Sequence, residues 1–325
     1  MVCLNDNDSS SLNRRIPQQA TCATMSSMSK TWAIAIHGGA GVIERSLCPE
    51  AADLRIRVLE AVITSAGAHL ASGQSALDVV EHAVVQLEEA AEFNAGKGAV
   101  FTAEGRHELE AAIMEGRSGT CGAACLLTTV RNPVRLARRV LDQSPHVLLA
   151  GQAAEQLVGD LEQVPNDWFD TELRRAQWSQ WKQASSEADA RGPATVGAVA
   201  MDINGHLAAA TSTGGRTGKP SGRIGDTPMI GAGTWADERC AVSGTGHGEA
   251  FMATAAAHTV AARMAYGGDS LDGAASRVVQ EALPPGSGGL IAVDAHGEIS
   301  MPFNCEGMYR AAADSKGRFE AKIWT

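Results

Sequence analysis

The sequence lacks a long apolar run and has fewer positive than negative charges. No apolar stretch is long enough to span a bilayer, which argues against a helical membrane protein. The 325 residues carry 27 basic and 37 acidic side chains, for a formal net charge of -10. Such a surface repels nucleic acid and anionic membranes, so we expect neither as a partner.

The composition leads us to expect neither a disulfide framework nor a secretory leader. The seven cysteines are odd in number and irregularly spaced, which favours reduced thiols and a cytoplasmic location. Residues 1–30 are rich in Ser, Asn and Asp and have no apolar centre, so we predict a disordered N-terminal extension. The remaining chain has an ordinary globular composition, with 44% hydrophobic and 20% charged residues.

Several common catalytic and nucleotide-binding motifs are absent. Glu44 stands where a dinucleotide fingerprint starting at Gly39 would need its third glycine. Lys219 is followed by Pro220, whereas a phosphate-binding loop needs Ser or Thr there. His107-Glu108 has no second histidine for a zinc helix, and no Gly-x-Ser-x-Gly elbow occurs.

Hydrophobic periodicity predicts strands in one block and helices in another, which is typical of a layered α+β domain. Ser75 and Asp78 form the pattern of a helix N-cap, and Asn204-Gly205 indicates a hairpin turn. Predicted helices cover about 50–72, 76–87, 136–141, 147–158, 251–266 and 274–283. Predicted strands cover about 32–36, 99–102, 111–114, 125–129, 196–201, 207–211, 229–233, 240–243, 289–294 and 298–301, with a glycine turn at 37–41.

A threonine begins the buried strand 195–202, directly after a charged and strand-poor run. A hydroxyl residue at such a junction suits a nucleophile that is released when the chain is cut. The pattern Thr195-Val-Gly alone favours the simpler interpretation, a threonine that begins a strand.

An ordered set of motifs favours the nucleophile over the simpler interpretation of Thr195. It comprises His37-Gly-Gly-Ala-Gly41, Phe93-Asn-Ala-Gly96, Gly98-Ala-Val-Phe101, Thr195-Val-Gly-Ala-Val-Ala200, Thr211-Ser-Thr-Gly-Gly215, Gly222-Arg-Ile-Gly-Asp226, Gly231-Ala-Gly233 and Gly286-Ser-Gly-Gly-Leu290. Together, over residues 32–309, they resemble the plant-type L-asparaginase / isoaspartyl peptidase family of N-terminal-nucleophile hydrolases. The resemblance implies a four-layer αββα sandwich. It also implies an α subunit of residues 31–194, which ends in a flexible linker from about 170, and a β subunit of residues 195–325, the two forming one catalytic domain.

The resemblance implies that Thr195 becomes the nucleophile after cleavage of the Ala194–Thr195 bond. The released α-amine, with a pKa of about 7.7–8.0, can take the hydroxyl proton near neutral pH. Thr213 orients the nucleophile by this analogy, although its pattern also fits an ordinary turn hydroxyl. Asn94 corresponds to a supporting residue of the α subunit.

The same resemblance assigns substrate contacts. Arg223 and Asp226 would bind the α-carboxylate and α-ammonium of an aspartyl substrate, although a surface ion pair also fits their spacing. The Thr245 hydroxyl and the Gly246 amide would stabilise a tetrahedral oxyanion. The remaining predicted substrate contacts are Ile224, Gly225, His247 and Gly248. His247 departs from the family pattern, where a small or hydroxyl residue is more usual, and a solvent-facing histidine is an equally good interpretation.

Catalysis of this type needs no cofactor, but the resemblance implies a structural sodium ion. Its ligands would be backbone carbonyls of Leu87, Glu88, Ala90, Phe93, Ala95 and Lys97. The expected assembly is a dimer of αβ heterodimers. Pro193-Ala194 replaces the glycine that many relatives have before the nucleophile, and this change is expected to slow self-cleavage.

The expected activity is hydrolysis of isoaspartyl dipeptides and deamidation of L-asparagine. Two alternatives remain open from the sequence: a glycosylasparaginase-like amidase, and a glycine-rich binding protein that never cleaves itself. Cleavage of the chain before Thr195 would distinguish an enzyme from the binding protein.

Overall fold

The computed structural model describes residues 31–184 and 195–325. The predictions for residues 1–30, for Ala194 and for the last ten residues of the linker lie outside the described residues. Within the described part of the chain, no helix has the length and apolarity needed to cross a membrane.

The chain forms a mixed fold of helices and strands. The strands are β1 Ala33–Gly41, β2 Leu109–Glu115, β3 Cys121–Leu127, β4 Leu148–Ala150, β5 Val196–Met201, β6 Leu207–Thr213, β7 Thr234–Ala236, β8 Cys240–Gly246, β9 Gly288–Asp294, β10 Ile299–Ser300, β11 Gly307–Asp314 and β12 Phe319–Lys322. The α-helices are α1 Pro49–Ala71, α2 Ala76–Glu89, α3 Pro133–Gln143, α4 Gly151–Glu155, α5 Glu172–Gln183, α6 Gly248–Thr254, α7 Ala256–Gly267 and α8 Leu271–Arg277. A 3₁₀ turn covers Asn166–Phe169, and a π-helical turn, Val278–Ala282, follows α8.

The strands form two sheets. The larger has the order β12-β11-β1-β5-β6-β2-β3-β4, and the smaller has the order β10-β9-β8-β7. Strands β5 and β6 pair as an antiparallel hairpin, as the Asn-Gly turn predicts. Ser75 accepts a hydrogen bond from the Asp78 amide and caps α2, which confirms the predicted helix start.

Three clusters of buried side chains explain how the elements pack. One face of the larger sheet, which includes Ile34 and Ile36, packs against α1, α2 and α3. The opposite face, which includes Ala33 and Val199, packs against Ile291 of the smaller sheet. The other face of the smaller sheet packs against α7 and α8. Alternate residues of β1 thus contribute to different clusters, as the period of a strand requires.

Several predicted elements are wrong. Residues 99–102 form only one isolated bridge, from Thr102 to Lys219, because this segment curls around the Asn94 side chain. Residues 229–233 form turns instead of a strand, and hydrogen bonds tie both ends of this turn to the Asp226 carbonyl. The helix predicted at 251–266 is broken at Ala255, which has a left-handed φ of 45°. The segment 147–158, predicted as one helix, instead forms the short strand β4 and the short helix α4.

The chain around the predicted linker and glycine turn also differs from expectation. Residues 172–183 form helix α5, which begins at the N-cap Thr171. The Trp178 indole donates to the Thr102 carbonyl, and this contact fixes a segment predicted to be flexible. Residues 37–41 continue β1 with a shift of register after His37 instead of turning away. Strands β11 and β12 were not predicted.

Candidate active site

The hairpin β5–β6 brings the two predicted catalytic hydroxyls together. Thr195 directly precedes β5, and Thr213 ends β6, so antiparallel pairing places them side by side. The Thr195 hydroxyl donates to the Thr213 hydroxyl at 3.2 Å. Both residues are buried. The geometry therefore allows Thr213 to fix the rotamer of Thr195.

Thr195 has an unusual backbone conformation. Its φ is 75°, in the left-handed region that β-branched residues rarely adopt. This conformation costs about 1–2 kcal/mol for an L-residue. Such strain is typical of functional sites, where the surrounding structure maintains it.

Asn94 supports the Thr213 loop. Its side-chain amide donates to the Gly215 carbonyl at 2.7 Å, and its side-chain oxygen accepts from the Val100 amide at 2.9 Å. The Gly215 amide in turn donates to the Thr213 hydroxyl at 2.9 Å. Asn94 thus acts on the hydroxyl pair through the backbone of this loop.

Arg223 and Asp226 lie in the turn-rich loop between β6 and β7. Arg223 donates through Nε and Nη2 to one carboxylate oxygen of Glu249, at 3.1 and 3.0 Å. Asp226 is buried, and among the described residues its Oδ2 atom has no hydrogen-bond partner. Burial, with the negative charges of Glu110 and Glu249, raises the pKa of Asp226 to about 7, although the positive charge of Arg223 opposes the shift.

Glycines allow the backbone to pack closely against these charges. A Cβ atom on Gly225 would lie 2.7 Å from Nη1 of Arg223. A Cβ atom on Gly248 would lie 2.7 Å from Oδ1 of Asp226 and 2.9 Å from Nη2 of Arg223. Ile224, between Arg223 and Gly225, is half-buried. A side chain at either position would clash with the two charged groups, so both positions require glycine.

The predicted oxyanion segment ends β8 and begins α6. The Ala40 amide donates to the Thr245 hydroxyl at 3.1 Å, which ties this segment to the glycine-rich end of β1. Gly246 has a φ of 146°, and a Cβ atom there would lie 2.0 Å from the Ser287 carbonyl oxygen. The side chain of His247 is exposed, and its backbone amide donates to the same Ser287 carbonyl at 2.7 Å.

One narrow cleft contains most of the predicted site. Its lining residues are Thr195, Thr213, Gly215, Arg216, Arg223, Gly225, Asp226 and Gly246. Its open volume of about 10 Å³ is close to that of one water molecule. Glu249, which is 56% exposed, links Arg216 and Arg223 beside the cleft. Entry of a substrate therefore requires side chains around the cleft to move.

Two buried charged side chains support the cleft. No motif in the sequence indicates their role. Lys219 and Glu110 form an ion pair at 3.4 Å and are almost completely buried. Glu110 also accepts from the Gly225 amide at 2.9 Å, and Lys219 donates to the Glu108 carbonyl at 2.8 Å. In the sequence, Lys219 stands out only as part of the incomplete phosphate-binding pattern before Pro220. No local spacing links it to Glu110, because the two residues meet only after β2 and the following loops pack.

A chain of buried hydroxyls leads away from His37. Its Nε2 atom lies 2.9 Å from the Ser243 hydroxyl, which lies 2.8 Å from the Thr211 hydroxyl. The Thr234 hydroxyl donates to that of Thr211 at 2.7 Å. Burial lowers the pKa of His37 to about 3, so this histidine is neutral and positions strands instead of carrying charge.

The predicted cation loop, residues 87–97, is tightly curled. The Lys97 amide donates to the Glu88 carbonyl at 2.7 Å. A Cβ atom on Gly98 would lie 2.5 Å from the Ala91 carbonyl oxygen and 2.7 Å from that of Phe93. Among residues 31–184 and 195–325, no group of three or more His, Cys, Asp or Glu side chains could hold a metal ion.

Comparison with known proteins tests the resemblance drawn from the motifs. The sequence profile of the asparaginase family matches residues 30–323. The isoaspartyl peptidase of Escherichia coli K12 is 48% identical over 293 residues, covering 86% of this chain and 91% of that protein. The probable isoaspartyl peptidase/L-asparaginase 2 of Arabidopsis thaliana is 40% identical over 325 positions, covering 90% and 99%. The isoaspartyl peptidase/L-asparaginase of Xenopus laevis is 39% identical over 285 residues, covering 86% and 91%. The resemblance is confirmed, and the chain belongs to the asparaginase family.

Proposed function

We propose that this protein is a threonine hydrolase that cleaves isoaspartyl dipeptides and deamidates L-asparagine to L-aspartate and ammonia. The observation that carries the proposal is the 3.2 Å contact between the Thr195 and Thr213 hydroxyls, in one cleft with Arg223 and Asp226. The cleft thus combines a nucleophile with a cation and an anion for an amino-acid substrate. The names of the relatives support the same activity.

Activation requires cleavage of the chain before Thr195. The Thr195 hydroxyl attacks the Ala194 carbonyl carbon, the C–N bond breaks, and an ester forms on the Thr195 oxygen. Water then hydrolyses the ester, leaving a carboxylate on Ala194 and a free α-amine on Thr195. The left-handed φ of Thr195 supports this step, because cleavage relieves backbone strain at that residue.

Turnover uses both groups of Thr195. The α-amine takes the hydroxyl proton while Oγ1 attacks the β-carbonyl carbon of the substrate. The Thr245 hydroxyl and the Gly246 amide stabilise the negative oxygen. Collapse expels ammonia or an amino acid, which takes the proton from the α-ammonium of Thr195. Water then hydrolyses the β-aspartyl ester and releases aspartate.

Arg223 and ionised Asp226 bind the α-carboxylate and α-ammonium of the substrate. This pairing matches charge on both sides, and it gives the buried Oδ2 atom of Asp226 the partner that it lacks. Ile224, Gly225 and Gly248 shape the wall around these groups. His247 contributes its backbone to the helix start, with its side chain directed to solvent.

We further propose that the two sheets and their helices form a four-layer αββα sandwich. The three clusters support this arrangement, since each fills the space between two neighbouring layers. Residues 31–194 would form the α subunit and residues 195–325 the β subunit of one catalytic domain. A dimer of such heterodimers and a cytoplasmic location stay predictions.

We also propose that the curled loop of residues 87–97 holds a sodium ion. The carbonyl oxygen of Glu88 lies close to Gly96, and those of Ala91 and Phe93 lie close to Gly98. Sodium is a hard cation that prefers such oxygen ligands, and each carbonyl has a second lone pair for it. The carbonyls of Leu87, Ala90, Ala95 and Lys97 remain predicted ligands. An ion would supply only rigidity to the loop that carries Asn94.

Intact-mass spectrometry after incubation at neutral pH tests the proposal. We expect two fragments that meet at Ala194/Thr195, and turnover of isoaspartyl-leucine and L-asparagine by the cut protein. Thr195→Ala should give an uncut and inactive protein that remains folded. An uncut wild-type chain without turnover would instead favour the binding protein, and faster turnover of a glycosylated asparagine would favour the glycosylasparaginase-like amidase.

A further inference from the structure

A second cavity lies away from the catalytic cleft. Its volume is about 350 Å³, and it opens between the segment after β1, helix α1 and helix α5. The two sites share no lining residue. Two arginines, Arg55 and Arg174, and two glutamates, Glu44 and Glu92, line it together with apolar side chains and Tyr309.

Arg174 is a buried cation that pairs with no carboxylate in the described part of the chain. It is only 3% exposed. Its Nε atom donates to the Gly98 carbonyl at 2.5 Å, and Nη1 donates to the neutral side chain of Gln177 at 2.9 Å. Its Nη2 atom is buried and has no partner. An uncompensated buried charge costs several kcal/mol, so this group is strongly favoured to meet an anion.

Arg55 adds a second positive charge to the same wall. It donates to the Ala51 carbonyl at 2.8 Å, its guanidinium carbon lies 5.7 Å from the centre of the Tyr309 ring, and its Nε atom is buried without a partner. Burial and the charge of Arg55 lower the pKa of Arg174 to about 10. Within residues 31–184 and 195–325, no carboxylate forms an ion pair with either guanidinium.

The glutamates determine which anion fits. Glu44 accepts from the Ser46 hydroxyl, and Glu92 lies on the same cavity. The four ionisable side chains have a net charge of zero, which disfavours a dianion such as phosphate. A ligand with one carboxylate and one ammonium matches both pairs. The volume accommodates such a small molecule.

We propose that this cavity binds a free α-amino acid, with its carboxylate on Arg55 and Arg174 and its ammonium towards Glu44 and Glu92. The site is separate from the catalytic cleft, and it stands whether or not the proposed hydrolase activity is correct.

Calorimetric titration of L-aspartate into the Arg223→Ala variant tests this site, because that change weakens binding in the catalytic cleft. We expect one remaining site per chain. Adding Arg55→Gln should weaken it by about tenfold or more, since a charge-assisted hydrogen bond is lost. Arg57→Gln, on the exposed face of the same helix, is the matched control and should leave binding unchanged. Inorganic phosphate should not compete.

Glu92→Gln provides a second variant that leaves both arginines in place. This variant should weaken the binding of L-aspartate but not the binding of acetate, because only L-aspartate carries an ammonium group. Absence of saturable binding to Arg223→Ala, or binding that Arg55→Gln does not change, overturns the proposal. Displacement by phosphate would show a general oxyanion site and would overturn the assignment to an amino acid. Chain cleavage and turnover, which test the hydrolase, are measured separately on wild-type protein.

Discussion

Replacing Asp226 with asparagine should make the protein more stable and less able to bind substrate. Asp226 is buried, its Oδ2 atom has no partner, and its pKa is raised from 3.8 to about 7. Since each pKa unit corresponds to about 1.4 kcal/mol, keeping this carboxylate ionised destabilises the fold by about 4 kcal/mol. Asparagine has nearly the same shape and carries no charge.

The stability gain should depend on pH. Because the pKa of Asp226 is higher in the folded chain, the carboxyl group is most favourable to folding below the unfolded pKa of 3.8. Its contribution is lost as pH rises to about 7 and is constant above that value. The variant should therefore match the parent near pH 4 and exceed it by about 4 kcal/mol at pH 8.

Urea unfolding at pH 4, 6 and 8 measures this difference. Both proteins should carry Thr195→Ala, so that the chain stays whole and unfolds as one unit. Asp53→Asn, at an exposed position of α1, serves as the control and should show no pH-dependent gain. In cut protein, Asp226→Asn should lower kcat/KM by roughly tenfold to a hundredfold, because the substrate ammonium loses its charged partner. A variant that is no more stable than its parent at pH 8 would refute the reasoning.

Three further changes test other parts of the site. Glu249→Gln should move the acidic limb of the kcat/KM profile to lower pH, because the charge of Glu249 helps to raise the pKa of Asp226; an unchanged profile would contradict this. Burial raises the pKa of Glu88 to about 8, and its carboxyl group accepts hydrogen bonds from the Ser212 hydroxyl and the Val134 amide. Glu88→Ala should therefore lower the free energy of unfolding in urea by about 2–4 kcal/mol, whereas Glu88→Gln, which can still accept both bonds, should lower it by less than about 1 kcal/mol. Gly98→Ala should lower the free energy of unfolding by more than about 2 kcal/mol and weaken any stabilisation by sodium. Gly119→Ala is the control, because Gly119 has a left-handed φ but nothing within 4 Å of an added Cβ atom, and it should cost about 1 kcal/mol. Equal losses would argue against crowding at Gly98.

The sequence predicts best where a local rule dominates. The Ser75 cap and the Asn-Gly turn at 204–205 depend on neighbouring residues, and both agree with the structure. Helix α5 was missed because its stability comes from distant contacts, such as the bond from Trp178 to the Thr102 carbonyl. Residues 99–102 were predicted as a strand because their apolar pattern cannot show that Asn94 holds the segment in a curl.

In the candidate site, too, some residues could be named from local motifs and others could not. Thr195 and Thr213 could be named from ordered motifs, and the hairpin places their hydroxyls 3.2 Å apart. Glu249 and the Lys219–Glu110 pair were not assigned roles, since their contacts span 26 and 109 residues of sequence. Buried ion pairs leave no periodic signal, because their partners are chosen by tertiary packing. The left-handed φ of Thr195 is likewise a property of the fold and not of residue type.

The two buried carboxylates of the cleft, Glu110 and Asp226, differ in their partners, and this difference makes substrate binding depend on pH. Glu110 is neutralised within the protein, by Lys219 and the Gly225 amide. The described residues give Asp226 no such partner, and its pKa of about 7 keeps a part of the molecules protonated near neutral pH. A substrate ammonium binds only the ionised form, and its arrival must release a proton from the rest. Affinity should therefore fall by about tenfold for each pH unit below 7. Calorimetry of L-aspartate with an uncut Thr195→Ala, Arg55→Gln protein at pH 6, in buffers of different ionisation enthalpy, should detect proton release close to one per catalytic cleft. No release would mean that Asp226 is already ionised before the ligand binds.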